Sequence, residues 1–163
     1  MKAVAKRVLV FVMVMSMIVP FLVESRSDAA KKGYYFSNAG VSVTMGSKAK
    51  KFIKKAGTPI SLKKSKSCAF KGYDRIRKYS GFILYTYTKT KTGPEYVNGI
   101  TFLNGSVKTN EGIRIGSTES EMKSVYGNGT NSMGVYMYNK GKTRLMLQIK
   151  DGRVANIKYA MTK

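Results

Sequence analysis

A short unit that occurs twice constrains this chain more than anything else in it. Residues 43–57 read Val-Thr-Met-Gly-Ser-Lys-Ala-Lys-Lys-Phe-Ile-Lys-Lys-Ala-Gly, and residues 113–127 read Ile-Arg-Ile-Gly-Ser-Thr-Glu-Ser-Glu-Met-Lys-Ser-Val-Tyr-Gly. Both run apolar-x-apolar-Gly-Ser, then a helical pattern, then a second glycine eleven positions after the first. Ser47 and Ser117 stand where an N-cap oxygen is wanted, and Gly57 and Gly127 where a left-handed C-cap residue would end each helix. In the first copy Ala49, Phe52, Ile53 and Ala56 fall at i, i+3, i+4 and i+7, one apolar stripe on a lysine-covered rod. In the second, Met122, Val125 and Tyr126 form the stripe. Glu119 and Glu121 sit near the helix start, where the helix dipole favours negative charge. Helices this short are marginal alone, so each is expected to dock its stripe on a sheet.

The segments around the units supply that sheet. Residues 41–45 alternate and would feed the first helix, 61–67 read as a Lys/Ser loop, and 68–73 with 74–79 form a weaker strand pair. Residues 82–87 and 96–103 are rich in β-formers, the latter closed by Asn104-Gly105. After the turn chemistry of 128–134 come strands at 135–138, 144–150 and 154–159, the last two joined by Asp151-Gly152. Val97, Ile100 and Phe102 have the same spacing as Val154, Ile157 and Tyr159. The expected class is therefore α+β: two tandem strand-helix-β-meander repeats forming one antiparallel sheet with two short helices on one face. The expected division is 1–30 signal peptide, 31–40 tether, 41–111 first repeat and 112–163 second repeat. The opposite sheet face would be left open to water.

The first thirty residues carry an export pattern. Lys2, Lys6 and Arg7 precede a nearly unbroken apolar run over 8–23, and small residues follow at Ser25, Ala29 and Ala30. The run is short for a membrane span and contains Pro20, so cleavage is expected, with an uncleaved anchor as the alternative. Thirty Lys+Arg against eight Asp+Glu give a formal net charge of +22. Such a field attracts polyanions and weakens in salt; the bland alternative is that the lysines only keep the protein soluble. An export signal argues for wall polymers, lipid headgroups or acidic proteins over nucleic acid. The single cysteine, Cys68, allows no intrachain disulfide and reads as a buried small apolar residue. Histidine is absent, which removes Ser-His-Asp and Cys-His catalysis and His-ligated metal sites.

The tandem Gly-x-(helix)-Gly unit followed by a β-meander resembles the repeated domain of beta-lactamase inhibitory protein and of the small SmpA/OmlA outer-membrane lipoproteins. The Cys-Ala-Phe-x-Gly segment at 68–72 is similar to one in uncharacterised exported proteins of Gram-positive gut bacteria. The likeness spans roughly residues 41–159. In the inhibitory protein the open concave sheet face docks on the enzyme, and the matching face here would carry Ile83, Tyr85 and Tyr87 from one half and Arg144, Met146 and Gln148 from the other. Phe82, Leu84, Leu145, Leu147 and Ile149 would then point to the helices. This chain has no lipobox and lacks the inhibitory protein's paired disulfides, so neither lipid attachment nor lactamase inhibition carries over.

Tyr85, Tyr87, Tyr136 and Tyr138 alternate along strands and are expected to share a face with Arg144 and Lys158, a mix favoured at binding hot spots; the alternative is that they are ordinary sheet residues with solvated hydroxyls. The expected function is a secreted or cell-surface, non-catalytic binding module of a bacterial envelope. It would contact an unknown protein or anionic envelope polymer through Ile83, Tyr85, Tyr87, Tyr136, Tyr138, Arg144, Met146, Gln148 and Lys158. The alternatives are a cationic protein retained on wall polymers and, behind it, an envelope hydrolase. No cofactor, metal or specific nucleic acid is expected, membrane contact is expected only through the signal segment before cleavage, and the protein is expected to be a monomer.

Overall fold

A computed structural model describes residues 33–162, so the expected signal peptide lies outside the described residues. The chain enters through a hairpin, β1 (Tyr35–Asn38) and β2 (Val41–Thr44), turned at Ala39-Gly40 with φ of 49° and 75°. Part of the stretch expected to be a tether is thus a strand. It carries Phe36, 1 % exposed, into the core, where its ring meets Phe52, Phe82 and Phe102 at 5.9, 5.1 and 5.2 Å. Helix α1 (Lys50–Ala56) follows, then strands β3 (Ser61–Lys66), β4 (Tyr73–Lys78), β5 (Phe82–Thr88) and β6 (Glu95–Phe102). Helix α2 (Glu119–Tyr126) precedes β7 (Thr130–Ser132), β8 (Val135–Lys140), β9 (Thr143–Lys150) and β10 (Arg153–Met161).

The eight later strands form one antiparallel sheet in the order β3-β4-β5-β6-β10-β9-β8-β7. Each half lays down a meander, and the two meet where β10 pairs with β6, which puts the end of the chain at the centre of the sheet. At this seam Val97 and Ile100, and likewise Val154 and Ile157, are all buried although an odd spacing should send them to opposite faces. A bulge resolves the conflict in each strand: the register skips Asn98 in β6 and Ala155 in β10. The extra residue restores both apolar side chains to the core.

The expected fold class is corrected here. The protein is mainly β: among the described residues ten strands accompany two helices of seven and eight residues. The strand-helix-meander unit does not recur. The strand before α1 pairs away from the main sheet, in a two-stranded sheet of its own. The segment before α2 forms no strand, only isolated bridges, from Arg114 to Lys108 and from Thr118 to Arg153 of β10. The second meander gains β7 within the expected turn of 128–134, and in the first the strand expected over 68–73 is replaced by one at 61–66, β3. Its six exposed residues gave no apolar alternation to read, yet backbone pairing to β4 suffices, and lysines on such an edge discourage further strand addition.

Both helices and the β1–β2 hairpin lie on one face. Phe52 of α1 touches Phe82, and the Met122 sulfur of α2 lies 3.2 Å from the Tyr138 hydroxyl. Phe82, Phe102, Ile100, Tyr159, Leu145 and Tyr138 share that face through the register of β5, β6, β10, β9 and β8.

Candidate binding face

The opposite face can be read row by row from the pairing. One row crosses Ile76, Tyr85, Gly99, Ala160, Arg144 and Asn139; the next crosses Lys78, Ile83, Thr101, Lys158, Met146 and Met137. Tyr85 and Arg144 stand three strand spacings apart, roughly 14 Å. Between them the floor is only Gly99 and Ala160, so the larger side chains border a shallow trough. A Cβ on residue 99 would come within 3.1 Å of the Tyr159 carbonyl and 3.6 Å of the Tyr85 ring, so glycine lets that ring lie down beside the strand. Arg144 is steadied by its Nε donating to the Asn139 side chain at 2.9 Å. Lys78, Lys158 and Lys63, which lies opposite Ile76, share the face with one carboxylate, Asp74 opposite Tyr87, so its charge is cationic.

One end of the face is aromatic. Tyr87 lies between Phe70, stacked at 4.9 Å, and Tyr96 at 5.7 Å, with the Lys89 ammonium 5.8 Å from the Tyr96 ring. The loop of 67–72 brings Phe70 there, and Gly72 allows it. A Cβ at 72 would lie 2.1 Å from the Thr88 carbonyl, and the next amide, of Tyr73, donates to Thr88 Oγ1 at 2.9 Å. Cys68, expected to be buried, is exposed in this loop rather than in the strand expected over 68–73.

Ile83, Tyr85, Arg144, Met146, Gln148 and Lys158 therefore lie together on the uncovered face, and Tyr87 lies on it beneath Phe70. Tyr136 and Tyr138 do not. They oppose Leu147 and Leu145 and point under α2, 7 % and 6 % exposed. Tyr136 donates to Glu119 at 2.6 Å, and Tyr138 donates to the Gly127 carbonyl at 2.8 Å. Burial raises the Tyr138 phenol above its ordinary value. Their neighbours Val135, Met137 and Asn139 take the open side instead. Tyr96, Phe70, Ile76, Met137 and the Gly99/Ala160 floor were missed from the sequence. Tyr96 was hidden by the Asn98 bulge, which inverts the parity of β6, and Phe70 by its place in a loop.

The helix ends differ from expectation as well. Ser47 Oγ donates to the Thr44 carbonyl, and α1 begins after Ala49 without a side-chain cap. At α2 the cap is Thr118, one residue after Ser117, in a reciprocal capping box with Glu121. Gly57 and Gly127 do end the helices, with φ of 78° and 76° but ψ near extended, a region open to glycine rather than the left-handed helical one.

Among the described residues no group of three or more His, Cys, Asp or Glu could hold a metal ion, and no helix is long and apolar enough to cross a membrane. No protein-family model matches the chain, and no curated relative matches it. The likeness to beta-lactamase inhibitory protein and the SmpA/OmlA lipoproteins thus finds no support in these comparisons. A solved extracellular protein containing an SCP domain, from Bacillus anthracis str. Ames, superposes on 72 % of this chain with a TM-score of 0.41 and 9 % identity. The matched part is 44 % of that structure's length, and a likeness at this level carries no argument about fold or function.

Proposed function

We propose that this chain is an exported, non-catalytic binding module whose open sheet face docks the acidic surface of a partner protein. The carrying observation is the strip from Tyr85 and Ile83 to Arg144 and Met146. It joins aromatic, aliphatic and cationic side chains on a face that neither helix covers. The leader pattern of the first thirty residues supports export. A photo-crosslinker placed at Gln148, on the face but outside the strip, tests the docking. It is expected to trap a discrete partner from the producing cell's envelope, and the adduct should fade when Tyr85→Ala and Arg144→Ala are combined. An undiminished adduct in that double variant defeats the reading.

The second reading is retention on anionic envelope polymers. It is favoured by exposed lysines away from the face: Lys50, Lys51, Lys54 and Lys55 on α1, and Lys64 and Lys66 on β3. It predicts attachment that is shed as salt rises and is indifferent to Tyr85 and Arg144.

A further inference from the structure

On the helix side of the sheet, α1 stops short of β4 and leaves a pocket of about 550 Å³, a size suited to small ligands. Lys48, Lys50 and Lys54 stand around it, Ile53 and Pro94 give it an apolar wall, and Arg77 and Glu95 line it from the sheet. Arg77 is 8 % exposed and grips Glu95 with both terminal nitrogens, Nη2 to Oε2 at 3.2 Å; Thr86 donates to the other carboxylate oxygen. Glu95 thus accepts three hydrogen bonds, two of them at Oε1. Arg75, two residues before Arg77 on the same side of β4, reaches it only at 3.7 Å, and its Nη1 is buried with no hydrogen-bond partner among the described residues. Arg75 itself does not line the pocket; its lining sets four cations, Arg77 and the three lysines, against the single carboxylate of Glu95. An excess of cationic charge around a pocket of this size favours an anionic occupant.

We infer that this pocket binds a phosphate group. Lys50 and Lys54 are one helical turn apart on the same side of α1, and Lys48 lines the pocket from just before the helix. A phosphate group has oxygens enough to accept from all three ammonium groups, while the fixed Arg77–Glu95 pair keeps the floor rigid. The pocket lies across the sheet from the proposed docking face, so the two sites stand or fall separately.

The test titrates glycerol 3-phosphate and inorganic phosphate into the protein at 0.15 M salt, following the Ile53 methyl signals by NMR. Saturable shifts are expected for both, weakened at least tenfold in Lys50→Gln/Lys54→Gln. They should change less than twofold in Lys63→Gln/Lys158→Gln, which removes equal charge from the other face, and in Tyr85→Ala/Arg144→Ala. Parallel arms with a poly(glycerol phosphate) and with phosphatidylglycerol vesicles distinguish polymer from lipid as the source: the true source loses binding in the Lys50/Lys54 variant. Non-saturable shifts, or equal losses in the two lysine pairs, overturn the inference.

Discussion

The two helices occupy comparable places, each ahead of a four-strand meander and on the same side of the sheet, yet they are held by different forces. Helix α1 has no side-chain cap, no acidic residue in its first turn and six exposed or half-buried residues of seven. It is pinned by Phe52, whose ring sits 5.9 Å from both Phe36 and Phe82. Helix α2 buries Met122 and adds a polar frame: the Thr118–Glu121 capping box, Tyr136 donating to Glu119, and Lys123 bound to Glu119 at 2.7 Å. The tyrosines of β8 fill the space beneath α2. The corresponding space beside α1 holds an arginine-carboxylate cluster and remains a pocket. Where large amphipathic side chains reach up from the sheet, the helix is locked to it; where short contacts and charge meet, room is left for a ligand.

Removing the α1 anchor is the harshest way to break this contrast. Phe52→Ala is expected to cost about 4 kcal/mol in denaturant unfolding, from lost burial and the cavity left among Phe36 and Phe82. A cost below about 1 kcal/mol would mean that α1 is not held by burial. Next comes the capping asymmetry. Thr118→Ala should cost about 1 kcal/mol, since it orphans the Glu121 amide. Ser47→Ala should change stability by less than about 0.5 kcal/mol, because that hydroxyl caps nothing in α1. Equal effects would erase the difference between the helices.

The gentlest probe is pH. Hydrogen bonds from Lys123 and then Tyr136 hold the Glu119 carboxyl below its ordinary value of 4.5, and the Thr118 backbone and side chain do the same for Glu121. Folded values below the unfolded ones contribute stability that is present above about 4.5 and lost as pH falls through the folded values. Hydrogen-exchange protection of the α2 amides should therefore drop between pH 5 and pH 3, while α1, with no acid of its own, keeps its protection relative to the rest of the sheet. A parallel decline in both helices would dissolve the distinction.

Several elements were legible because their causes are local. Asp151-Gly152 turns β9 into β10 with φ of 52° and 69°, as its hairpin chemistry demands. The β-rich runs of β5, β8, β9 and β10 fall where their composition put them. Leu145 and Leu147, with Phe82 and Leu84, face the helices as their alternation implied. The candidate face was harder. Tyr85/Tyr87 and Tyr136/Tyr138 have the same alternation, yet one pair lies on the open face and the other under α2. Parity against the core, set by Leu84 in β5 and by pairing with Leu147 and Leu145 in β8, decides between them, and it cannot be read from either tyrosine pair.

By itself, then, the sequence determined the cationic charge, the Asp151-Gly152 turn, the apolar stripe of α1 and most strands, since each depends on residues within a few positions; the stripe expected on α2 holds only in part, because Val125 is 42 % exposed beside buried Met122. Tertiary structure decided that the hairpin of β1 and β2 enters the core, that a Lys/Ser-rich segment becomes edge strand β3, that bulges at Asn98 and Ala155 restore the inward faces, and that charge gathers beside α1. Those outcomes depend on register between strands far apart in the chain, where a shift of one residue exchanges the two faces of a sheet.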